Sequence, residues 1–149
     1  MVFDRYVVEC NYDKMVVIEL TRVERGSIIH AGGKPNVLKT LEKCINCLGL
    51  IDEDPRSDQP PRLWGVKLEP AGHDIKVGKY KGNVVVVLCP ELEEWVAKVA
   101  RNAGIRKDVD ARDLEDDEAK FKTVIRELAA SNPEPEPIRL LRDILLKGL

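Results

Sequence analysis

Gly49-Leu50-Ile51-Asp52-Glu53-Asp54-Pro55 is the stretch on which the reading of this chain turns. The apolar run Leu48 to Ile51 has the character of the end of a buried strand, and it leads straight into three carboxylates and a proline. Side chains alternate along a strand, so Asp52 and Asp54 are expected on one side, with Cα atoms roughly 6.5 Å apart, and Glu53 on the other. Pro55 has no N–H for a ladder and ends the strand. Two same-side carboxylates at the C-terminal edge of a buried strand suit a hard cation such as Mg²⁺. An Asp-x-Asp in isolation is more often a solvated loop, so the argument for a site rests on what surrounds it.

Upstream, Phe3 to Glu9 reads as a first strand, apolar enough to be central in a parallel sheet. Asn11 is a good N-cap for a helix carrying Met15, Val16, Ile18, Leu20 and Val23, which Gly26 stops. Ser27 to Ala31 is a second strand, and Gly32-Gly33-Lys34-Pro35 opens a second helix with Pro35 at N1. Val37, Leu41, Cys44, Ile45 and Leu48 make its core-facing stripe. The first 54 residues therefore read β-α-β-α-β, the pattern of a parallel α/β sheet.

Downstream, Arg56 to Arg62 is a Pro-rich polar loop, and Trp64–Leu68 and His73–Tyr80 are predicted edge strands about an Ala71-Gly72 turn. Val84 to Leu88, apolar without alternation, is a fully buried strand. Cys89-Pro90 breaks it, and a helix follows over Glu91 to Ala103 with Trp95, Val96, Val99 and Ala100 inward. A charged connection, Arg106 to Glu118, leads to a helix with Phe121, Val124, Ile125, Leu128 and Ala129 on one face. Asn132 to Pro137 is a stiff Pro-rich joint, and Ile138, Leu141, Ile144 and Leu145 mark a last helix. The expected organisation is an α/β domain over residues 1–104. A helical hairpin over 105–149 then packs on that domain, on a second copy or on a protein partner.

With 149 residues, 44% hydrophobic and 34% charged against a usual charged share of about 25%, the chain is globular and able to bury a core. Gln59 is the sole glutamine, and that together with the high charge is a weak thermophile signature. A net charge of −2 excludes a general polyanion binder, so any nucleic-acid contact rests on a local patch or on metal ions. Cys44-Ile45-Asn46-Cys47 is formally C-x-x-C, but no second pair exists and the histidines are not at zinc-finger spacing, so packed thiols are expected. No signal-peptide pattern and no apolar run of membrane-spanning length is found, and a soluble, cytoplasmic protein is expected.

Glu9 at the end of strand one, Gly32-Gly33-Lys34 after strand two and Asp52-x-Asp54 after strand three all fall at one sheet edge. Carboxylates there hold divalent ions that bind phosphate oxygens, while glycine amides and Lys34 suit an anion. Val7-Val8-Glu9 and Leu50-Ile51-Asp52-Glu53-Asp54 resemble the TOPRIM domain in order, strand context and separation, over roughly residues 2 to 100. His30-Ala31-Gly32-Gly33-Lys34, Ile51 to Pro55 and Leu88 to Trp95 also look like a group of small, mostly archaeal TOPRIM-related proteins. The resemblance implies a TOPRIM/Rossmann-like, mainly parallel sheet flanked by helices. It further implies an acidic triad, Glu9, Asp52 and Asp54, that binds Mg²⁺ or Mn²⁺ and acts on nucleic acid. It departs from the family where Cys10-Asn11 replaces the glycine expected after the glutamate, and no DNA gate or tyrosine-nucleophile region fits in this length.

Metal-dependent phosphodiester hydrolysis is thus the expected chemistry. Asp52 and Asp54 bind metal, Glu9 binds metal or works as general acid/base, and Gly32, Gly33 and Lys34 hold phosphate. Glu93 is the one acid after the fourth strand added as a metal ligand. The alternatives are a metal- or nucleotide-binding regulatory subunit without turnover, and a structural subunit using the C-terminal hairpin. Gly32-Gly33-Lys34 lacks the rest of a Walker A loop, and Asp52-x-Asp54 lacks the glycine and glutamate of an EF-hand. His30 is read as a hydrogen-bonded strand-end residue, Asp58 as an outer-shell carboxylate at most, and Trp64 and Trp95 as packing residues.

Overall fold

Strand β1 (Arg5–Val8) lies between two parallel neighbours, pairing Tyr6 with Ile28 of β2 (Ile28–His30) and with Leu48 of β3 (Cys47–Asp52). The computed structural model describes residues 3–55 and 59–148, so Asp58 lies outside the described residues. β3 pairs in parallel with β6 (Asn83–Leu88), and β5 (Ile75–Tyr80) and β4 (Glu69–Gly72) continue the sheet antiparallel. The order β2-β1-β3-β6-β5-β4 makes an α/β protein with a six-stranded, mostly parallel sheet. Chain-distant β3 and β6 sit side by side at its centre, both buried on each face as continuous apolar runs require.

The two faces are covered unequally. Tyr6, Val8, Leu48, Leu50, Val86 and Leu88 face a thick helical layer: α1 (Asn11–Thr21), α3 (Leu92–Asn102), α4 (Ala111–Asp116), α5 (Glu118–Ala130) and α6 (Glu136–Lys147). Val7, Ile51, Val85 and Val87 face α2 (Lys34–Leu41) and the segment that carries Val66. Gly49 lets α2 approach, since a Cβ there would stand 2.8 Å from Leu41 Cδ1 and 3.1 Å from Val37 Cγ1.

The C-terminal helices belong to the main core. Phe121, Val124, Ile125 and Leu128 of α5 and Ile138, Leu141, Ile144 and Leu145 of α6 are buried in it. The Tyr6 hydroxyl donates to the Leu145 carbonyl at 2.6 Å, Arg142 Nε to the Leu20 carbonyl at 2.9 Å, and Tyr12 stacks on Phe121 with ring centroids 4.6 Å apart. The hairpin's apolar faces are therefore satisfied on the sheet domain itself.

Several elements differ from expectation. α2 ends at Leu41, because Asn83 Nδ2 takes the Leu41 and Cys44 carbonyls and its Oδ1 accepts from Cys47 N–H, which starts β3 early. Ile45 is consequently exposed, Asn46 adopts φ +56°, and Leu48 is a strand residue. Cys10, Cys44, Cys47 and Cys89 are free thiols. Pro60-Pro61 directs the chain into a 3₁₀ turn at Pro61–Gly65, so the edge strand starts at Glu69 and the hairpin turns at His73-Asp74, both at positive φ. The charged connection contains α4, which Asp110 and Asp113 cap reciprocally and Leu114 anchors. Trp95 is buried with its Nε1 donating to the His73 carbonyl at 2.8 Å, but Trp64 is 78% exposed. Among the described residues no helix is long and apolar enough to cross a membrane.

Candidate active site

The parallel register brings the ends of β1, β3 and β6 to one edge. There Glu9, one residue past β1, meets Asp52, the last residue of β3. Glu9 Oε2 accepts the Asp52 N–H at 3.3 Å, and Asp52 Oδ2 accepts the Leu92 N–H at the start of α3, also at 3.3 Å. Each carboxylate thus receives a backbone donor from the next element along the edge. α3 begins where an anion is favoured, and Asp52 fills that place.

Asp13 is the residue sequence reasoning missed. Cys10, and not Asn11, is the N-cap of α1, which puts Asp13 at N3, where its Oδ2 accepts from Glu9 N–H at 3.1 Å and Cys10 N–H at 3.2 Å. A capping-box acid is usually on the surface; this one is 2% exposed, directly behind Glu9. The signal was present as an acid three residues after Cys10, but cysteine is not a common cap.

Crowding acids in a half-buried site raises their proton affinity. Burial, then the Asp52 charge, push Glu9 up to about 7, against the relief given by the Asp52 N–H and Lys34. Burial, then the charges of Glu9 and Asp52, hold Asp13 well above the usual carboxylate range. Asp52 is raised by burial and by the Asp54 and Glu91 charges, with the Leu92 N–H and Lys34 opposing.

Lys34 begins α2 one residue earlier than the Pro35-first reading, and it is buried. Its ammonium donates to the Glu53 carbonyl at 2.8 Å and to Gln59 Oε1 at 3.2 Å, while Gln59 Nε2 returns to the Glu53 carbonyl at 2.6 Å. Lys34 therefore ties down the segment after β3 and puts its charge beside Glu9 and Asp52, with one ammonium hydrogen uncommitted by these contacts. The Gly32 N–H is engaged by the Glu9 carbonyl at 3.1 Å, and Gly33 caps α2 with φ +145°.

Asp54 does not continue the strand alternation. β3 ends at Asp52, Asp54 takes φ +40°, and its N–H donates to the Pro90 carbonyl at 2.6 Å. The alternation argument for a shared side fails there, although the Asp54 charge still reaches Asp52. Glu53 faces away as expected and pairs with Lys76 of β5 at 3.0 Å. His30 ends an edge strand and is exposed.

A second acidic group adjoins the first. Glu91, Glu93 and Glu115 bring carboxylate oxygens within 4.8 Å of one another; Glu9, Asp52 and Asp54 form no such group among the described residues. Burial, followed by the charges of Asp52, Glu115 and Glu91, raises Glu93, so the two groups feel each other through Glu93 and Asp52. The Tyr12 hydroxyl donates to the Glu115 carbonyl at 2.8 Å and joins α4 to α1 across this edge. Glu93 was the only one of these three selected from the sequence. Hard oxygen donors repelling one another in a half-buried site are a donor set that fits a divalent cation. Comparisons of the chain with protein-family models, with curated proteins and with solved structures return no match.

Proposed function

We propose that this chain is an Mg²⁺- or Mn²⁺-dependent phosphodiester hydrolase acting on nucleic acid, with a TOPRIM-like arrangement of acids at the C-terminal edge of its sheet. The observation that carries the reading is the hydrogen-bonded Glu9–Asp52 pair: burial raises both carboxyls, the Asp52 charge raises Glu9 further, and the Lys34 charge opposes the rise in each. Glu9, Asp52 and Asp54 would hold the metal, with Glu93 reaching it from α3. A divalent ion bound there polarises phosphate oxygens and offsets charge that develops on them. Glu9, with proton affinity near neutrality, is suited to take or give a proton at its carboxylate. Asp13 holds the backbone of Glu9, and Lys34 fixes the segment that bears Asp54 while leaving a donor for a phosphate oxygen.

The regulatory reading, a metal- or nucleotide-binding subunit without turnover, is favoured by one observation. The three acids expected to converge do not, and the three that do are Glu91 before α3, Glu93 on α3 and Glu115 on α4. Both readings are separated by incubating labelled single- and double-stranded DNA and RNA with Mg²⁺ or Mn²⁺, using wild type, Glu9→Gln, Asp52→Asn and Asp54→Asn. Cleavage by wild type that all three variants lose supports the hydrolase. Mn²⁺ binding in calorimetry without cleavage moves the assignment to the binding subunit, and neither cleavage nor binding rejects both.

A further inference from the structure

The cations of this acidic chain are unevenly spread, and one concentration lies along the seam between α1 and α5. A concavity near the start of α1 is lined by the cations Lys14, Arg25 and Lys122, against the single further acid Glu118 besides Glu19. A second, of about 470 Å³, is lined by Arg22, Arg126 and Arg142. Glu19 lines both, so the two concavities adjoin at that residue along the α1–α5 seam. Glu19 is buried and paired with Arg126 at 3.1 Å, and Arg142 is paired with Glu134. Among the described residues, Lys14, Arg22, Arg25 and Lys122 make no side-chain hydrogen bond or ion pair.

The groove also has a direction. It starts beside Asn11, two residues from Glu9, and ends at Arg22, which follows the last turn of α1. The acids of the sheet edge thus flank the first turn of α1, where Lys14 also lies, and Arg22 and Arg25 stand at and beyond its end. Its eleven residues span about 16 Å, the rise of about five nucleotides along one strand of a B-form helix.

We infer that the α1–α5 groove is the track for the phosphate backbone of a single nucleic-acid strand, leading it to the acidic edge. The inference rests on the nucleic-acid reading of that edge and adds how a chain of net charge −2 retains a polyanion. Phosphates are repelled by the carboxylates until cations occupy them, so affinity has to come from elsewhere on the surface. Four uncommitted cations in a groove beside the site supply it, and they do so whether or not a metal is bound.

The test is anisotropy of a fluorescein-labelled single-stranded oligonucleotide in EDTA, titrated over a range of salt concentrations. Wild type is compared with the combined variant Lys14→Gln, Arg22→Gln, Lys122→Gln, and with Lys39→Gln, Lys43→Gln on and after α2 as a control. The groove variant should bind more weakly, and its slope of log affinity against log salt should flatten by about 2, each lost phosphate contact being worth about 0.7 on a single strand. The control should bind like wild type. Circular dichroism should match throughout, since the three groove cations have no partners to lose. Equal binding by wild type and the groove variant overturns the track and leaves the hydrolase reading standing. Groove-dependent binding without cleavage in Mg²⁺ or Mn²⁺ leaves the track standing and rejects the hydrolase. Failure of wild type to bind any oligonucleotide overturns the track.

Discussion

Glu9, Asp13 and Asp52 are set between strand ends and the starts of α1 and α3, whereas Glu91 caps α3 and Glu93 and Glu115 stand on α3 and α4. In the inner group every acid accepts a backbone N–H from another element or turn, and none of the three is exposed. In the outer group the oxygens approach one another, and Glu115 is exposed. The inner group is fixed in place at an electrostatic penalty, whereas the outer group brings its oxygens together with Glu115 open to solvent. Pre-organisation and convergence are thus divided between two neighbouring sets. Asp52 and Glu93, each of which raises or is raised by the other set, are where they join.

If the inner group is the strained one, pH exposes it first. Glu9 binds its proton more tightly folded, at about 7, than at its ordinary 4.5. Its stabilising contribution is therefore full below 4.5 and is lost as pH rises through 7. Metal-free protein should lose about 2–3 kcal/mol over that window, read as a falling urea midpoint. Asp13 and Asp52 act in the same direction. Glu9→Gln should flatten the profile, and added Mn²⁺ should restore stability at the upper end by binding the charged carboxylates. A flat wild-type profile would break the contrast between the two groups.

The next effect concerns Asp13. Asp13→Ala leaves the Glu9 and Cys10 N–H groups without an acceptor and should destabilise by about 1–3 kcal/mol in chemical denaturation. Asp13→Asn retains an acceptor oxygen and should recover most of that loss. Lys34→Met should follow at about 1–2 kcal/mol, since the Glu53 carbonyl keeps its Gln59 donor, and should move the Glu9 titration to higher pH in carboxylate-resolved NMR. Glu115→Gln should be the smallest, under about 0.5 kcal/mol without metal, as expected of an exposed position. In calorimetry it should still weaken Mn²⁺ binding if the outer group holds an ion. A large stability loss from Glu115→Gln would show the outer group to be as restrained as the inner.

Periodicity made the parallel frame legible. Tyr6-Val7-Val8, Cys47 to Ile51 and Val85 to Leu88 are buried apolar runs, and runs of that kind mark central strands of a parallel sheet. Glu9 and Asp52 were legible because each is the first charge after such a run. What was hidden depended on single side chains acting at a distance. Asn83 cannot be seen from the sequence to end α2 some 40 positions earlier, and without it Cys44, Ile45 and Leu48 fit a helical stripe. Asp13 was hidden by its cap, and α4 by a run of charges with one apolar anchor, Leu114. The alternation expected to place Asp54 on the Asp52 side does not apply, because the last paired residue of β3 is Asp52.

The hydrogen bond from Leu92 N–H to Asp52 makes one oxygen serve two structures, the floor of the site and the beginning of α3. An ion that draws this oxygen toward itself weakens its hold on the helix, and the first turn of α3 frays a little more often. Amide exchange at Leu92, measured with and without Mn²⁺, then becomes a gauge of occupancy. The wider consequence is mechanical: α3 carries Glu93, α4 rests on it with Glu115, and both would register what happens at the strand end.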